Sequence, residues 1–249
     1  MSMLGPYASW NKETGYAVWD HPTAEYTGIF ERINVGIKGI IHVGMWDFVE
    51  YGCYTKLVGN KVVGVEANPD VYKTMAKPVA DQWGFKCFNE FTSDKDGDVR
   101  NFYFAGEGSS LYQGQPAWNK HTSIKVQTKT LATVLDENNI DPAEYDFLNI
   151  DAEGSELDIL KGYERYLNHV NVIDLETSYD DRHLSGASHD KIASWLSERG
   201  FELKEQSPTY DSQQWGDSVF VRVDRELPPF VDGNAGNAIF GEKYLENSR

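Results

Sequence analysis

The chain has 249 residues, 40% hydrophobic, 13% aromatic and 25% charged, a balance that excludes disordered and fibrous classes. Its 23 basic and 39 acidic residues leave a net charge of −16, which argues against a nucleic-acid partner and against an anionic membrane surface. Two cysteines, Cys53 and Cys87, are too few for a disulfide framework or a four-ligand zinc site and read as small buried hydrophobes.

No apolar run approaches the ~20 residues of a membrane span and no leader pattern opens the chain, so the expected location is the cytoplasm. From Gly39 onward, short apolar β-rich runs alternate with amphipathic stretches, the pattern of a parallel sheet flanked by helices. The predicted elements begin with strand Gly39–Val43, a loop and a short helix to about Val58, and strand Lys61–Val65. A helix capped by Asn68 with Pro69 at its first position follows, then strand Phe85–Phe91. After a polar turn at 93–98 come strand Val99–Phe104, an aperiodic Gly/Ser-rich loop over 106–114, strand Ser123–Thr128 and helix Leu131–Asn138.

Tyr145–Ile150 is a buried strand ending at Asp151, followed by helix Glu153–Tyr166, strand Val170–Leu175 and helix Asp190–Arg199, stopped by Gly200. Strands Phe201–Glu205 and Ser218–Val223 have no helix between them. They are expected to pair as an antiparallel hairpin, closing a mostly parallel Rossmann-like α/β sheet, with Pro208 and Trp215 in the connecting loop. On composition, 1–36 is an N-terminal appendage, 37–226 the main domain and 227–249 a C-terminal tail.

Two groups of residues point to chemistry. In an open α/β sheet the ligand lies beyond the carboxyl ends of the strands. Gly44 sits in the turn after the first strand, and Glu66, 22 positions later, ends the second, where a carboxylate can accept both hydroxyls of a ribose. The second group is Asp151-Ala152-Glu153-Gly154-Ser155-Glu156, directly after the buried strand. Asp151 is expected at the mouth, with Glu153 and Glu156 sharing a helix face. A helix N-terminus also attracts acids through its dipole, and Asp151 as a simple N-cap is the structural alternative.

The chain resembles the FkbM-type methyltransferases, which use S-adenosylmethionine and commonly methylate hydroxyls of sugars and glycosylated products. The resemblance rests on IHVGMWDFVEYGCYTKL (41–57), VVGVEANPDVY (62–72), TSDKDGDVRNFYF (92–104), GSSLY (108–112) and, most specifically, YDFLNIDAEGSELDILKG (145–162). It continues through VNVIDLETS (170–178), GFEL (200–203) and WGDSVFVR (215–222).

Carried over by position, it implies that Gly44, Met45, Trp46 and Asp47 contact the methionine half of the cofactor and Glu66 and Ala67 the ribose. Phe91 and Thr92 would lie near the adenine, and Asp151 beside the transferred methyl or the acceptor. One departure stands out: the usual turn has a small residue after the first glycine and often a second glycine, whereas Met45, Trp46 and Asp47 follow Gly44 here.

Methyl transfer to a hydroxyl calls for alignment and a proton acceptor, for which Asp151 and His183 are the candidates. His42, inside a strand, reads as packed and hydrogen-bonded. No metal site is assigned, although Asp151, Glu153, Glu176 and Asp180 offer oxygen ligands that could hold Mg²⁺. Trp10, Trp19, Tyr26, Trp118 and Trp215 could line a sugar site. The expected partner is a sugar or glycan acceptor; the oligomeric state is left open. The rivals are a catalytically degenerate nucleoside- or glycan-binding module and an NAD-dependent oxidoreductase, which the lack of G-x-G-x-x-G after the first strand disfavours.

Overall fold

The computed structural model describes residues 8–11, 16–19, 24–48, 50–106, 108–113, 122–178, 186–208 and 215–231. A short hairpin, β1 (Ala8–Asn11) and β2 (Tyr16–Trp19), precedes helix α1 (Ala24–Ile33). The central strands are β3 (Ile40–Val43), β4 (Val62–Glu66), β5 (Lys86–Asn89), β8 (Phe147–Ile150), β9 (Val172–Ser178), β10 (Phe201–Pro208) and β11 (Trp215–Arg222). They form one sheet in the order β10-β11-β9-β8-β3-β4-β5. The pairs among β3, β4, β5, β8 and β9 are parallel, while β11 runs antiparallel to both β9 and β10. The mostly parallel α/β sheet closed by a C-terminal hairpin is therefore as expected. Pro208 and Trp215 are corrected from the loop to the ends of the two hairpin strands.

Both faces of this sheet are covered over its central strands, which is why β3, β4, β8 and β9 are near-continuous apolar runs rather than alternating ones, with His42, Asn149 and Asp174 among the buried exceptions. One set of positions, including Ile41, Val43, Leu148, Ile150, Ile173 and Leu175, packs on helices α5 (Leu131–Glu137), α6 (Glu156–Tyr163) and α7 (His189–Ser197). The opposite set, including Ile40, Val62, Phe147, Val172 and Val219, faces α1, α2 (Tyr51–Val58) and α4 (Lys77–Trp83). Composition alone shows few core-forming runs in the flanks, yet Phe30 of α1 is fully buried and meets Phe147 edge-on at 5.1 Å between ring centroids. Leu227 and Phe230 pack on the same face, and Gly36 N donates to Pro228 O at 2.8 Å, so both flanks cover one side of the sheet.

The Asn68 cap is as expected: Oδ1 accepts from Asp70 N and Val71 N, with Pro69 next. The helix it starts is α3 (Pro69–Val71), which passes through one π turn at Tyr72–Ala76 into α4. Pro78, which has no amide hydrogen to continue the ladder, follows that π turn.

The strand expected over 85–91 ends at Asn89, and the helix expected over 153–166 starts only at Glu156, because Glu153 (φ 53) and Gly154 (φ 99) take left-handed backbone that a helix cannot continue. Strands β6 (Val99–Phe104) and β7 (Thr122–Gln127) form a separate antiparallel hairpin outside the main sheet.

Candidate active site

Strand register builds a graded stack of side chains on the face that carries α1 and α2. Ile40, Phe147, Val172 and Val221 make an apolar rung, and the next rung toward the carboxyl end is His42, Asn149, Asp174 and Val219. One rung further are Gly44, Asp151, Glu176 and Asp217: Val43 pairs with Ile150 and Ile150 with Leu175, each one residue earlier, and Asp217 is directly opposite Glu176. Alternation thus converts an apolar core into a polar layer and then an acidic mouth over three steps.

In the middle layer His42 and Asn149 are linked through Tyr54 of α2. Asn149 Nδ2 donates to Tyr54 OH at 2.8 Å, which leaves the tyrosine proton for His42 Nδ1 at 3.3 Å. Burial pushes the His42 pKa down to about 3, so it is a neutral packed histidine, as its strand position suggested.

At the mouth, carboxyl oxygens of Asp151, Glu153 and Glu176 all lie within 4.8 Å of one another. Asp151 keeps solvent-exposed surface, yet the protein around its carboxyl and then the charges of Glu176, Glu153, Asp217 and Glu156 hold it well above the usual carboxylate range. Glu176 is shifted the same way by burial and by Glu153, Glu156 and Asp217, and is eased by a hydrogen bond shared with Asp151, a bond that needs one proton between the two groups.

The expectation that Glu153 and Glu156 share a helix face is corrected. Glu153 sits in the turn, and Glu156 is buried with Oε1 accepting from Ala152 N and Gly154 N. Nor is Asp151 the N-cap, which is Ser155. The Gly/Ser loop fastens onto this turn, Ser110 Oγ donating to Glu153 O and Tyr112 OH to Asp158 Oδ2, each at 2.6 Å.

The turn after β3 explains the departure at Met45. Gly44 has φ 88, and a Cβ there would fall 1.6 Å from the Asp151 carbonyl oxygen, so the glycine serves the close approach of β3 and β8. Met45 is 2% exposed and tucks beneath β4, where a Cβ on Gly64 would meet its Sδ at 1.8 Å; Cys87 Sγ lies 3.6 Å from that sulfur. The Met45 side chain is therefore in the core, not the mouth. Trp46 (φ 45) and Phe48 (φ 56) adopt the left-handed backbone that a second glycine would supply.

Glu66 locks this turn. Oε2 accepts from Trp46 N at 2.9 Å and Oε1 from Asn68 N at 2.7 Å. Burial raises its pKa and those amides pull it back. Asn89 Nδ2 donates to the carbonyls of Glu66 and Ala67, fixing the ends of β4 and β5 together. Phe91 packs on Phe102 at 5.0 Å, and Thr92, buried, bridges to Lys129, so both lie where the main sheet passes into the β6–β7 hairpin.

Asp47 is half-buried in the β3–α2 connection. His183, Asp180 and Trp118 fall outside the described residues, as do the side chains of Trp10, Trp19, Tyr26 and Trp215.

Sequence reasoning missed Asp217 and Glu50. Asp217 is findable from its alternation with Val219 and Val221; Glu50 carries no sequence signal. Burial lifts the Glu50 carboxyl to about 7, with Asp47 and Asp217 adding to the shift, and its Oε2 is buried without a hydrogen-bond partner.

Residues 35–203 match the methyltransferase FkbM domain family. No curated protein matches the chain. Among solved structures it is similar to precorrin-6y C5,15-methyltransferase of Geobacter metallireducens, at 13% identity, covering 79% of this chain and 85% of that one with a TM-score of 0.46. It is also similar to magnesium protoporphyrin IX methyltransferase of Synechocystis with bound SAM (9% identity, 81% and 78% covered, TM-score 0.45). A third similar structure is TrmK of M. capricolum with S-adenosylhomocysteine (12% identity, 80% and 68% covered, TM-score 0.42). The family match takes in the β3–α2 turn, Glu66 and the whole Asp151–Glu156 turn, well over half of the chain, and this protein therefore belongs to the FkbM methyltransferase family, with S-adenosylmethionine as its cofactor.

Proposed function

We propose that this methyltransferase acts on a hydroxyl of a neutral sugar or glycan, with Asp151 at the reacting centre. The observation that carries the reading is the acidic rung of Asp151, Glu176 and Asp217 in register: a cationic sulfonium is favoured beside the negative charge they hold together, whereas an anionic acceptor is repelled by it.

The donor set suits the cofactor. Glu66 keeps lone pairs beyond its two amide bonds for vicinal hydroxyls, and Trp46, Asp47 and Ala67 border it, with Phe91 and Thr92 toward the next strand end. Because Met45 points into the core, its bulk leaves the mouth open, which weighs against the degenerate binding module.

When bound, S-adenosylmethionine supplies an electrophilic methyl on sulfur. Asp151 then has two tasks, to orient the acceptor hydroxyl toward that methyl and to receive its proton. His183 is the alternative acceptor of that proton. The chain is tested with labelled cofactor and separate pools of glycans, nucleic acids, proteins and small phenols, and label is expected in the glycan pool. Label chiefly in nucleic acid or protein overturns the acceptor class, and calorimetry showing binding of NADH but not S-adenosylhomocysteine would overturn the cofactor.

A further inference from the structure

On the reading that puts Asp151 at the reacting centre, we propose that Ser110 is a positioning residue for methyl transfer, its hydroxyl holding the Glu153 turn so that the Glu153 carboxyl stays against Asp151 and Glu176.

The backbone of Asp151 is fixed by β3, since its amide donates to Val43 O at 2.9 Å and its carbonyl abuts Gly44. Glu153 needs other support. It has φ 53, and left-handed backbone at a residue with a side chain persists only where its surroundings fix it. Two clamps do so, one on amides and one on a carbonyl. Glu156 Oε1 accepts from Ala152 N at 3.1 Å and Gly154 N at 3.0 Å, and Ser110 Oγ donates to Glu153 O at 2.6 Å. The loop also meets the Glu153 side chain, because a Cβ on Gly108 would lie 3.9 Å from its Cδ and Oε2.

Ser110 is itself held, with 2% of its surface exposed. Its amide and carbonyl pair with Tyr103 of β6 at 3.1 and 2.8 Å, and its Oγ accepts from Tyr112 N at 2.9 Å. Tyr112 then reaches α6, its OH and Arg100 Nη1 meeting on Asp158 Oδ2 at 2.6 and 2.9 Å, while Arg100 Nη2 donates to Asp94 Oδ1 at 2.6 Å. The β6–β7 hairpin is thereby tied to the helix that starts at the acidic turn.

The charges facing Asp151 are Glu176, Glu153, Asp217 and Glu156, and those facing Glu176 include Glu153, Glu156 and Asp217. Glu156 is pinned by two amides, and Glu176 and Asp217 by strand pairing, so Glu153 is the member of this group whose distance the loop sets. A negative neighbour makes Asp151 a stronger proton acceptor. Without the Ser110 hydroxyl Glu153 can swing away, and Asp151 becomes a weaker one.

The test uses the whole protein with ¹³C-labelled aspartate and glutamate carboxyls, the Asp151 and Glu176 resonances being assigned with Asp151→Asn and Glu176→Gln. In folded Ser110→Ala both carboxyls should titrate roughly half a pH unit or more below the wild type. Ser109→Ala, in the same loop but with its hydroxyl on Gly106 O and Ala105 N, should titrate as the wild type. Transfer of label from S-adenosylmethionine should slow roughly ten-fold or more in Ser110→Ala, while S-adenosylhomocysteine affinity by calorimetry stays within about two-fold. Melting curves establish folding. Where Ser110→Ala does not fold, Tyr112→Phe, which keeps the serine and cuts the brace to Asp158, should move the same two carboxyls in the same direction.

Unchanged titration in whichever of these two variants is folded overturns the inference, as does an equal shift in Ser109→Ala or wild-type label transfer in Ser110→Ala. If Asp151→Asn transfers label at the wild-type rate, the Asp151 reading falls, and the Glu176 titration still decides whether Ser110 holds the turn.

Discussion

Glu66 holds two backbone amides and is also placed to meet a ribose, and these two tasks separate on substitution. Glu66→Ala should weaken S-adenosylhomocysteine binding by roughly 1.5–3 kcal/mol, the range for hydrogen bonds to a charged group. It should also lower the melting temperature, because Trp46 N and Asn68 N lose their acceptor. A lower melting temperature with unchanged affinity in calorimetry would reduce Glu66 to a clamp.

For Asp151, the asparagine variant keeps shape and removes charge, and the N-cap position of α6 is Ser155, not Asp151. Asp151→Asn should therefore melt at or above the wild-type temperature while turnover falls by roughly a hundred-fold or more, the usual range for a lost general base. Normal turnover would remove Asp151 from the reacting centre. The Met45–Gly64 contact makes a third case. Gly64→Ala forces a Cβ against Met45 Sδ and should destabilise by about 1–3 kcal/mol. Adding Met45→Ala should recover part of the loss, a coupling readable by denaturant unfolding; purely additive effects would contradict the contact.

At the scale of elements, the β3–α2 connection and helix α1 show different sources of order. The connection is held by Glu66 and by aromatic packing, Phe48 lying against Tyr54 at 5.9 Å and Phe85 at 5.4 Å. That enclosure offsets left-handed backbone at Trp46 and Phe48, which costs about 1–3 kcal/mol per residue. Helix α1 is held mainly by burial, through Phe30 and its partly buried neighbours Ile29 and Ile33, with an exposed bidentate Arg32–Glu205 pair tying it to β10. Phe30→Ala should accordingly lose about 3–5 kcal/mol in urea unfolding, and a chain cut to 37–226 should melt lower than the full chain. Equal stability of the two chains would show that the flanks add nothing to the sheet.

Over the whole molecule, the acidic excess becomes a pH dependence. The Glu50 pKa rises from 4.5 to about 7 on folding, so between those values the folded state holds the proton that the unfolded chain has released, and stability falls as pH rises. His42 falls from 6.5 to about 3, so between those values the unfolded chain binds the extra proton and stability rises with pH. From about pH 4.5 to 6.5 the two slopes oppose each other. From 6.5 to about 7.5 His42 loses its remaining charge in the unfolded chain, and Glu50, joined by the raised carboxyls of Asp151 and Glu176, sets the falling slope, at up to about 1.4 kcal/mol per pH unit for one group. In chelator-containing buffer the melting temperature should drop across that upper window, and Glu50→Gln should flatten the drop. A rising curve there would contradict the burial of Glu50.

What the sequence by itself determined are the features with a local cause. The apolar runs of β3, β4, β8 and β9 follow from burial on both faces, the Asn68-Pro69 start from capping chemistry, and the Asp151–Glu156 turn from its family pattern. The ends of elements were legible only in part, since the left-handed Glu153 and the hairpin extension to Pro208 and Trp215 depend on contacts made elsewhere in the chain.

Only the tertiary structure decided that Asp151, Glu176 and Asp217 share one rung, because their alignment is set by pairing among β8, β9 and β11, strands brought together from distant parts of the chain. It alone decided that Met45 turns inward, for which the space above Gly64 is responsible, and that Phe30 belongs to the core, since a short amphipathic helix becomes core only when a sheet face stands ready to receive it.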